Sequence, residues 1–437
     1  MKGNRRDLST GVVLAVLGSA ALCMIGAACG GGEAQSFSRP DSTLATLLAE
    51  IQPRVERSSG IEATRPVDVA RADADRLRAY LEAQLRSGLP PEKAEALEAA
   101  YARFGLLPDT VDLTALLGAL LEEQVVGYYD PESDTLFVLD RVPAAQLAPV
   151  LAHELVHALQ DQRVDLDSLR NALGDRNDPT MAAQAAIEGH ATYAMIEWQL
   201  SQLSGKEADL TLLPDLGTAL AGMDLSALGD AAPVEVLRSA PAVVREGLLF
   251  PYIGGFTFMQ RAWRAQEGRP IPFGSRLPRS TEQVLHVERY LESDAPTNVR
   301  FDETPPAGWT EVFANGLGEH ETRIFLEEHL MEAPRAEAAA TGWDGDAYRL
   351  VRGPGGEALV WVTVWDAPED ADEFAAAARD AWTRRYASPE GGDAPRRPRI
   401  ERTEIGGRPV VVTLDLPPGT GDSVATSLAR VTLDEER

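Results

Sequence analysis

Residues 151–162 read LAHELVHALQDQ. His153 and His157 stand four apart, so on a helix they share a face one turn apart. That is the spacing two imidazoles need to reach one ion at about 2.0–2.1 Å each. Glu154 follows the first His and projects beside such an ion, placed to take a proton from a water. Leu155, Val156 and Leu159 give the same helix an apolar side. Two surface histidines beside a salt-bridging Glu would be spelled the same way, but unpaired imidazoles in an apolar helix are costly to bury. The chain has six His and only two Cys, Cys23 and Cys29, both in its N-terminal apolar stretch. A metal site must therefore draw on His, Asp and Glu. The segment MAAQAAIEGHATYAMIEW offers Glu188 in a similar apolar setting, with His190 two residues on. Those two point to different helix faces, so only one can face the ion. Thr192, one turn after Glu188, is a candidate to hold an imidazole, although a mid-helix Thr more commonly bonds its own backbone.

HELVH followed by Glu188-Gly189-His190-Ala191 resembles the gluzincins, zincin metallopeptidases with two His on one helix and a Glu on the next. The stretch GYYDPESDTLFVLD resembles the strand-turn-strand that precedes their active-site helix and offers an edge to an extended substrate. The resemblance covers about residues 125–200. It implies a Zn2+ held by His153, His157 and Glu188, with Glu154 as general base and a peptide or protein as substrate. Glu188 is preferred to His190 because a three-His site would imply a different zincin group, whose downstream motif is absent. The resemblance also implies an oxyanion donor, His or Tyr, from a later segment. PRSTEQVLHVERY reads as a helix opened by Ser280 or Thr281, with His286 and Tyr290 on one face. His286 is the candidate donor; a surface His beside a packing Tyr is the rival reading, and Tyr252 in PYIGGF is a second choice. His320 and His329 lie among Glu residues and read as solvated.

Around this core the chain predicts an α+β protein. Residues 42–101 carry Ala, Leu, Glu and Arg in helical periodicity and read as a helical scaffold. Residues 125–139 read as a β-hairpin, and 147–161 as the HELVH helix, with Pro149 in its first turn. Residues 161–178 read as a polar loop. Asp178 then caps, and Pro179 opens, a long helix to about 203. We expect a mainly helical zincin-like domain over 42–335, with a small sheet before the active-site helix. A second α+β domain, 341–437, is expected as β-β-α-β-β-α, with Gly406-Gly407 as a hairpin turn and a short helix at its end. Trp343, Trp361 and Trp365 there read as core.

The first residues look like an address. Lys2, Arg5 and Arg6 precede an almost wholly apolar run, 10–28, and small residues lead to Cys29. Gly26-Ala27-Ala28-Cys29 resembles a bacterial lipobox, which implies a signal peptide over 1–29, lipidation of Cys29 and anchoring to a bacterial membrane; an uncleaved signal anchor is the alternative. Residues 30–41 read as a flexible tether. A formal net charge of −27 repels nucleic acid, which we exclude as a partner. The expected function is zinc-dependent peptide hydrolysis in the cell envelope. The rival is a lipoprotein that keeps a zincin fold for binding, without turnover.

Overall fold

The computed structural model describes residues 39–217, 234–301, 304–387 and 396–435. Cys29 and residues 30–38 of the expected tether lie outside that set; its last residues are not tether, since Arg39–Pro40 pair as a strand and Asp41 caps a helix. Among the described residues no helix is long and apolar enough to cross a membrane. The chain is α+β.

The N-terminal helix Ser42–Ser59 starts at Asp41, whose carboxylate accepts from the Thr43 and Leu44 N–H groups, and stops at Gly60 in the left-handed region. These are the capping devices that satisfy its free end groups. Leu44, Leu48, Ile51 and Val55 form its buried stripe. It packs on two central helices, Ala144–Val164 and Asn177–Ser204, which also pack on each other. Both are buried all round over long runs, 150–160 in the first and 181–198 in the second. A helix apolar on every side belongs in a core, and each fully buried Leu or Val contributes about 1.5–3 kcal/mol to holding it there. The second central helix also meets Ala242–Ala265 at backbone distance. A Cβ on Gly189 would lie 2.1 Å from the Gly255 carbonyl carbon, and one on Gly255 would lie 2.1 Å from the Ala185 carbonyl oxygen.

A four-stranded sheet borders this bundle in the order β1 (Arg39–Pro40), β2 (Asp68–Ala72), β4 (Thr135–Leu139), β3 (Gly127–Asp130). β3 and β4 form the expected hairpin, with Tyr128 opposite Phe137. β2 interrupts what reads as a continuous helical scaffold, and it runs parallel to β4. Its DVARA has only Ala70 and Ala72 buried, too little apolar contrast to announce a strand.

The other large sheet is antiparallel, in the order β6 (Thr310–Asn315), β7 (Trp343–Gly353), β8 (Gly356–Trp365), β10 (Arg408–Asp415), β9 (Arg399–Ile405). Along β8 the two-residue period sorts the faces. Leu359, Trp361 and Trp365 pack under helices Gly318–Leu330 and Pro368–Arg385. Val360, Val362 and Val364 face a ribbon of β5 (Thr297–Phe301) and β11 (Val431–Glu435), together with helix Asp422–Leu428. The short helix is therefore not the last element: β11 follows it and pairs with β5, some 130 positions earlier. β6 brings a strand from upstream of residue 341 into the same sheet.

Several local expectations are corrected. The HELVH helix starts at Ala144, so Pro149 lies inside it rather than in its first turn. Residues 161–178 are not a plain loop but hold helix Leu166–Leu173, entered through Asp165 at φ 50° and left through Gly174 at φ 63°. Asp178 is not a cap. It lies inside the helix that starts at Asn177, and its buried carboxylate accepts from the Thr281 N–H at 2.9 Å.

Candidate metal centre

His153 and His157 come from one central helix and Glu188 from the other, and all three side chains are buried. His157 Nε2 lies 3.1 Å from His153 Nε2. Glu188 Oε2 lies 3.2 Å from His153 Nε2 and 3.4 Å from His157 Nε2. Ligands about 2.0–2.1 Å from a tetrahedral ion stand about 3.3 Å from one another, so these three atoms already form one face of such a tetrahedron. Among the described residues this is the one group of three or more His, Cys, Asp or Glu arranged to hold a metal. The chemistry of the donors fits zinc: two imidazoles and a carboxylate, with a fourth position left open.

The tautomer of His157 follows from a chain of bonds. His190 Nε2 lies 2.8 Å from the Ser59 carbonyl oxygen, which can only accept. That nitrogen therefore donates, and in the neutral ring Nδ1 accepts. Gln160 Nε2 supplies the proton at 3.0 Å and also donates to the Ile187 carbonyl at 2.9 Å. The amide is thus fixed, and its Oε1 receives the His157 Nδ1 proton at 2.9 Å. His157 Nε2 is left to present a lone pair to the site. His190 is the anchor of this chain rather than a ligand. Thr192 contributes nothing to it: its buried hydroxyl has no hydrogen-bond partner among the described residues.

Electrostatics follow the same layout. Burial alone would raise the Glu188 carboxyl, but His157 and His153 outweigh it and hold it well below the usual carboxylate range. Burial lowers His153. For His157 burial is outweighed by Glu188, and its pKa is raised to about 9, so below that pH Nε2 holds a proton toward Glu188 and offers its lone pair only when metal binding displaces that proton. Glu154, 3 % exposed, is pushed up to about 8 by burial. The Tyr129 backbone meets its carboxylate, and Oε1 has no hydrogen-bond partner among the described residues. Gly127 lets β3 lie close against this helix, since a Cβ there would come within 2.6 Å of Val150 Cγ1, one turn before Glu154.

Glu154, His157 and Glu188 share a cavity of about 30 Å³, walled also by Tyr80 and Gln84, by Pro131 of the hairpin turn, and by Leu166 and Arg170 of helix Leu166–Leu173. Among these, Tyr80, Gln84 and Arg170 carry no signal in the sequence. Gln160, three residues after His157 on the same helix face, has no motif to mark it either.

His286 lines no part of this cavity. The helix expected around it breaks at His286 itself, at φ −117° and ψ 85°, into Thr281–Leu285 and Val287–Glu292. The break separates it from Tyr290, which packs edge-on against Phe258. His286 Nε2 is 2.7 Å from Glu319 Oε1, whose carboxylate raises the imidazole pKa. Tyr252 is the residue found beside a ligand: its ring stacks on His153 with centroids 6.2 Å apart. His320 is not solvated but 2 % exposed under Phe250, and burial lowers it to about 3. His329 is half-buried and bonds the Phe104 carbonyl at 2.8 Å.

Gln160→Leu keeps the helix but strips His157 Nδ1 and His190 Nδ1 of their partner. We expect zinc affinity to fall about 10–100-fold, as when such outer contacts are lost elsewhere. Titration against a competing chelator measures it, and an affinity within about twofold of wild type would mean that the chain does not orient His157.

Residues 305–426 match a family described as a domain of unknown function, DUF8575. The matched stretch runs from just before β6 into helix Asp422–Leu428 and contains none of the residues of the metal-ligand group. No curated protein and no solved structure matches the chain.

Proposed function

We propose that the protein is a zinc-dependent hydrolase, a metallopeptidase in the gluzincin manner, exported and held at a bacterial membrane through Cys29. The observation that carries the reading is the convergence of two imidazole nitrogens and a carboxylate oxygen at 3.1–3.4 Å, with a buried carboxylate on the same cavity that coordination does not require. Bound there, zinc would act as a Lewis acid and bring the pKa of a coordinated water to about 7. The residues of the chain do the rest. Glu188 and the two imidazoles hold the ion, and Gln160 keeps His157 in the ligating tautomer. Glu154 accepts the proton of the attacking water and returns it to the leaving amine. Burial raises the proton affinity of its carboxylate, and a bound cation would offset part of that rise and keep it ionised.

One observation favours the non-catalytic rival. The cavity is small, about 30 Å³, against the several hundred Å³ of an ordinary ligand pocket. Binding of a small hydroxamate that depends on zinc separates the two, since a sealed structural site admits none.

The direct test is metal content. The purified wild type is expected to hold one zinc per chain, and Glu188→Ala and His153→Ala to hold far less. Full stoichiometry in either variant places the metal elsewhere.

A further inference from the structure

A second, larger cavity of about 360 Å³ adjoins the metal site, within the size range of ligand pockets. Two of its lining residues make the connection. Arg170 belongs to both cavities. Gln184 stands on the Glu188 helix one turn before the ligand, which puts the near end of the groove about 6 Å along the helix from Glu188. The floor is apolar: Leu89, Leu97 and Leu117 come from the N-terminal helices, and Phe313 from β6, within the matched segment. All four are half-buried. The charged rim is Lys93, Arg170 and Arg176 against Asp175, with Arg170 paired to Asp167 at 3.0 Å and Arg176 donating to the Leu173 carbonyl at 3.3 Å. Even with Asp167 counted, cations outnumber anions there, the reverse of a chain whose net charge is −27. Lys93 pairs with Asp175 at 2.6 Å, but that carboxylate is 84 % exposed, and a pair so exposed holds weakly. An incoming carboxylate can therefore take its place.

We propose that this groove recognises the substrate, and that its occupant is a peptide segment with an apolar side chain next to a carboxylate. The apolar side chain sits on the Leu–Phe floor, and the carboxylate is read by Lys93, Arg170 and Arg176. This gives the matched segment a part in recognition through Phe313. An Asp or Glu side chain and a free C-terminus present the same carboxylate chemistry. The inference rests on the hydrolase reading for what happens after binding, but not for binding itself.

The test is therefore a binding measurement on the zinc-loaded Glu154→Gln protein, by fluorescence anisotropy with labelled hexapeptides. Ala-Ala-Ala-Leu-Asp-Ala amide carries a side-chain carboxylate. Ala-Ala-Ala-Ala-Ala-Leu with a free C-terminus carries a terminal one, and its amide carries none. Ala-Ala-Ala-Leu-Lys-Ala amide reverses the charge. We expect at least one carboxylate peptide to bind about tenfold tighter than the Lys peptide, and the better of the two identifies the source. The preference should shrink as salt rises, because rim charges are screened. Lys93→Gln with Arg176→Gln alters only the groove edge, should leave the melting temperature unchanged, and should abolish the preference. Phe313→Ala should weaken all the leucine peptides together. Equal affinities, no binding, or a preference that survives the double variant overturns the proposal. Preferential binding by a wild type that hydrolyses nothing would keep the groove and remove the hydrolase. Hydrolysis with no preference would do the opposite.

Discussion

Glu154→Gln should leave zinc stoichiometry at the wild-type level and lower turnover about 10²–10⁴-fold, the usual worth of a positioned general base. The substitution keeps the shape of a side chain that is 3 % exposed and removes only its ability to accept the proton. Cleavage of a mixed peptide library, read by mass spectrometry with a chelator control, measures the loss. Chelator-insensitive cleavage, or equal activity in the variant, would remove the peptidase reading. The same variant has a second, opposite effect on stability. Burial raises the folded-state pKa of Glu154 from 4.5 to about 8, so the fold favours its protonated form. That contribution is fully present below the unfolded pKa and is lost as pH rises through about 8. Gln has no proton to lose. The metal-free variant should therefore melt higher than metal-free wild type at alkaline pH and alike at pH 4, with the gap opening between the two pKa values.

Gly255→Ala should be among the most damaging single-methyl changes in the molecule. The added carbon would lie 2.1 Å from the Ala185 carbonyl oxygen, and backbone cannot rotate aside as a side chain does. The helices must separate, at a cost of about 3 kcal/mol or more for overpacking against main chain. Separation moves the turn that carries Glu188, so zinc should be lost along with thermal stability. Gly247→Ala is the control. It lies on the same helix, where a Cβ would meet only Met181 Cε at 3.7 Å, and replacing a mid-helix Gly should stabilise by about 0.5–1 kcal/mol. A Gly255→Ala protein that melts with wild type and keeps its zinc would show that the two helices do not meet as described.

The candidate ligands were legible because the helix period makes a claim about space: four residues apart means one face, and an apolar context means a core. Glu188 was legible for the same reason. The partners around them were not. Gln160 stands inside the very segment that draws attention, but an amide has no motif of its own. Its role appears only when the Ser59 carbonyl and His190 are brought in from about a hundred residues before it and thirty after. His286 misled for a related reason. Spacing of four implies a shared face only if the helix is continuous, and it breaks at that residue. The α+β class was readable from the change of period along the chain. β2 and the β5–β11 ribbon escaped it, because both are strands made by distant pairing rather than by their own pattern.

Helix Leu166–Leu173 walls the small cavity and is joined at each end through a left-handed residue, Asp165 and Gly174. Leu166, at its start, is buried, and its N–H donates to the Asp161 carboxylate at 3.0 Å, so the wall is tied to the end of the helix that carries His153 and His157. On the proposed reading, the residues that would shelter an ion and those that would hold it are therefore fastened to one another, and a change at the wall reaches the site through that helix.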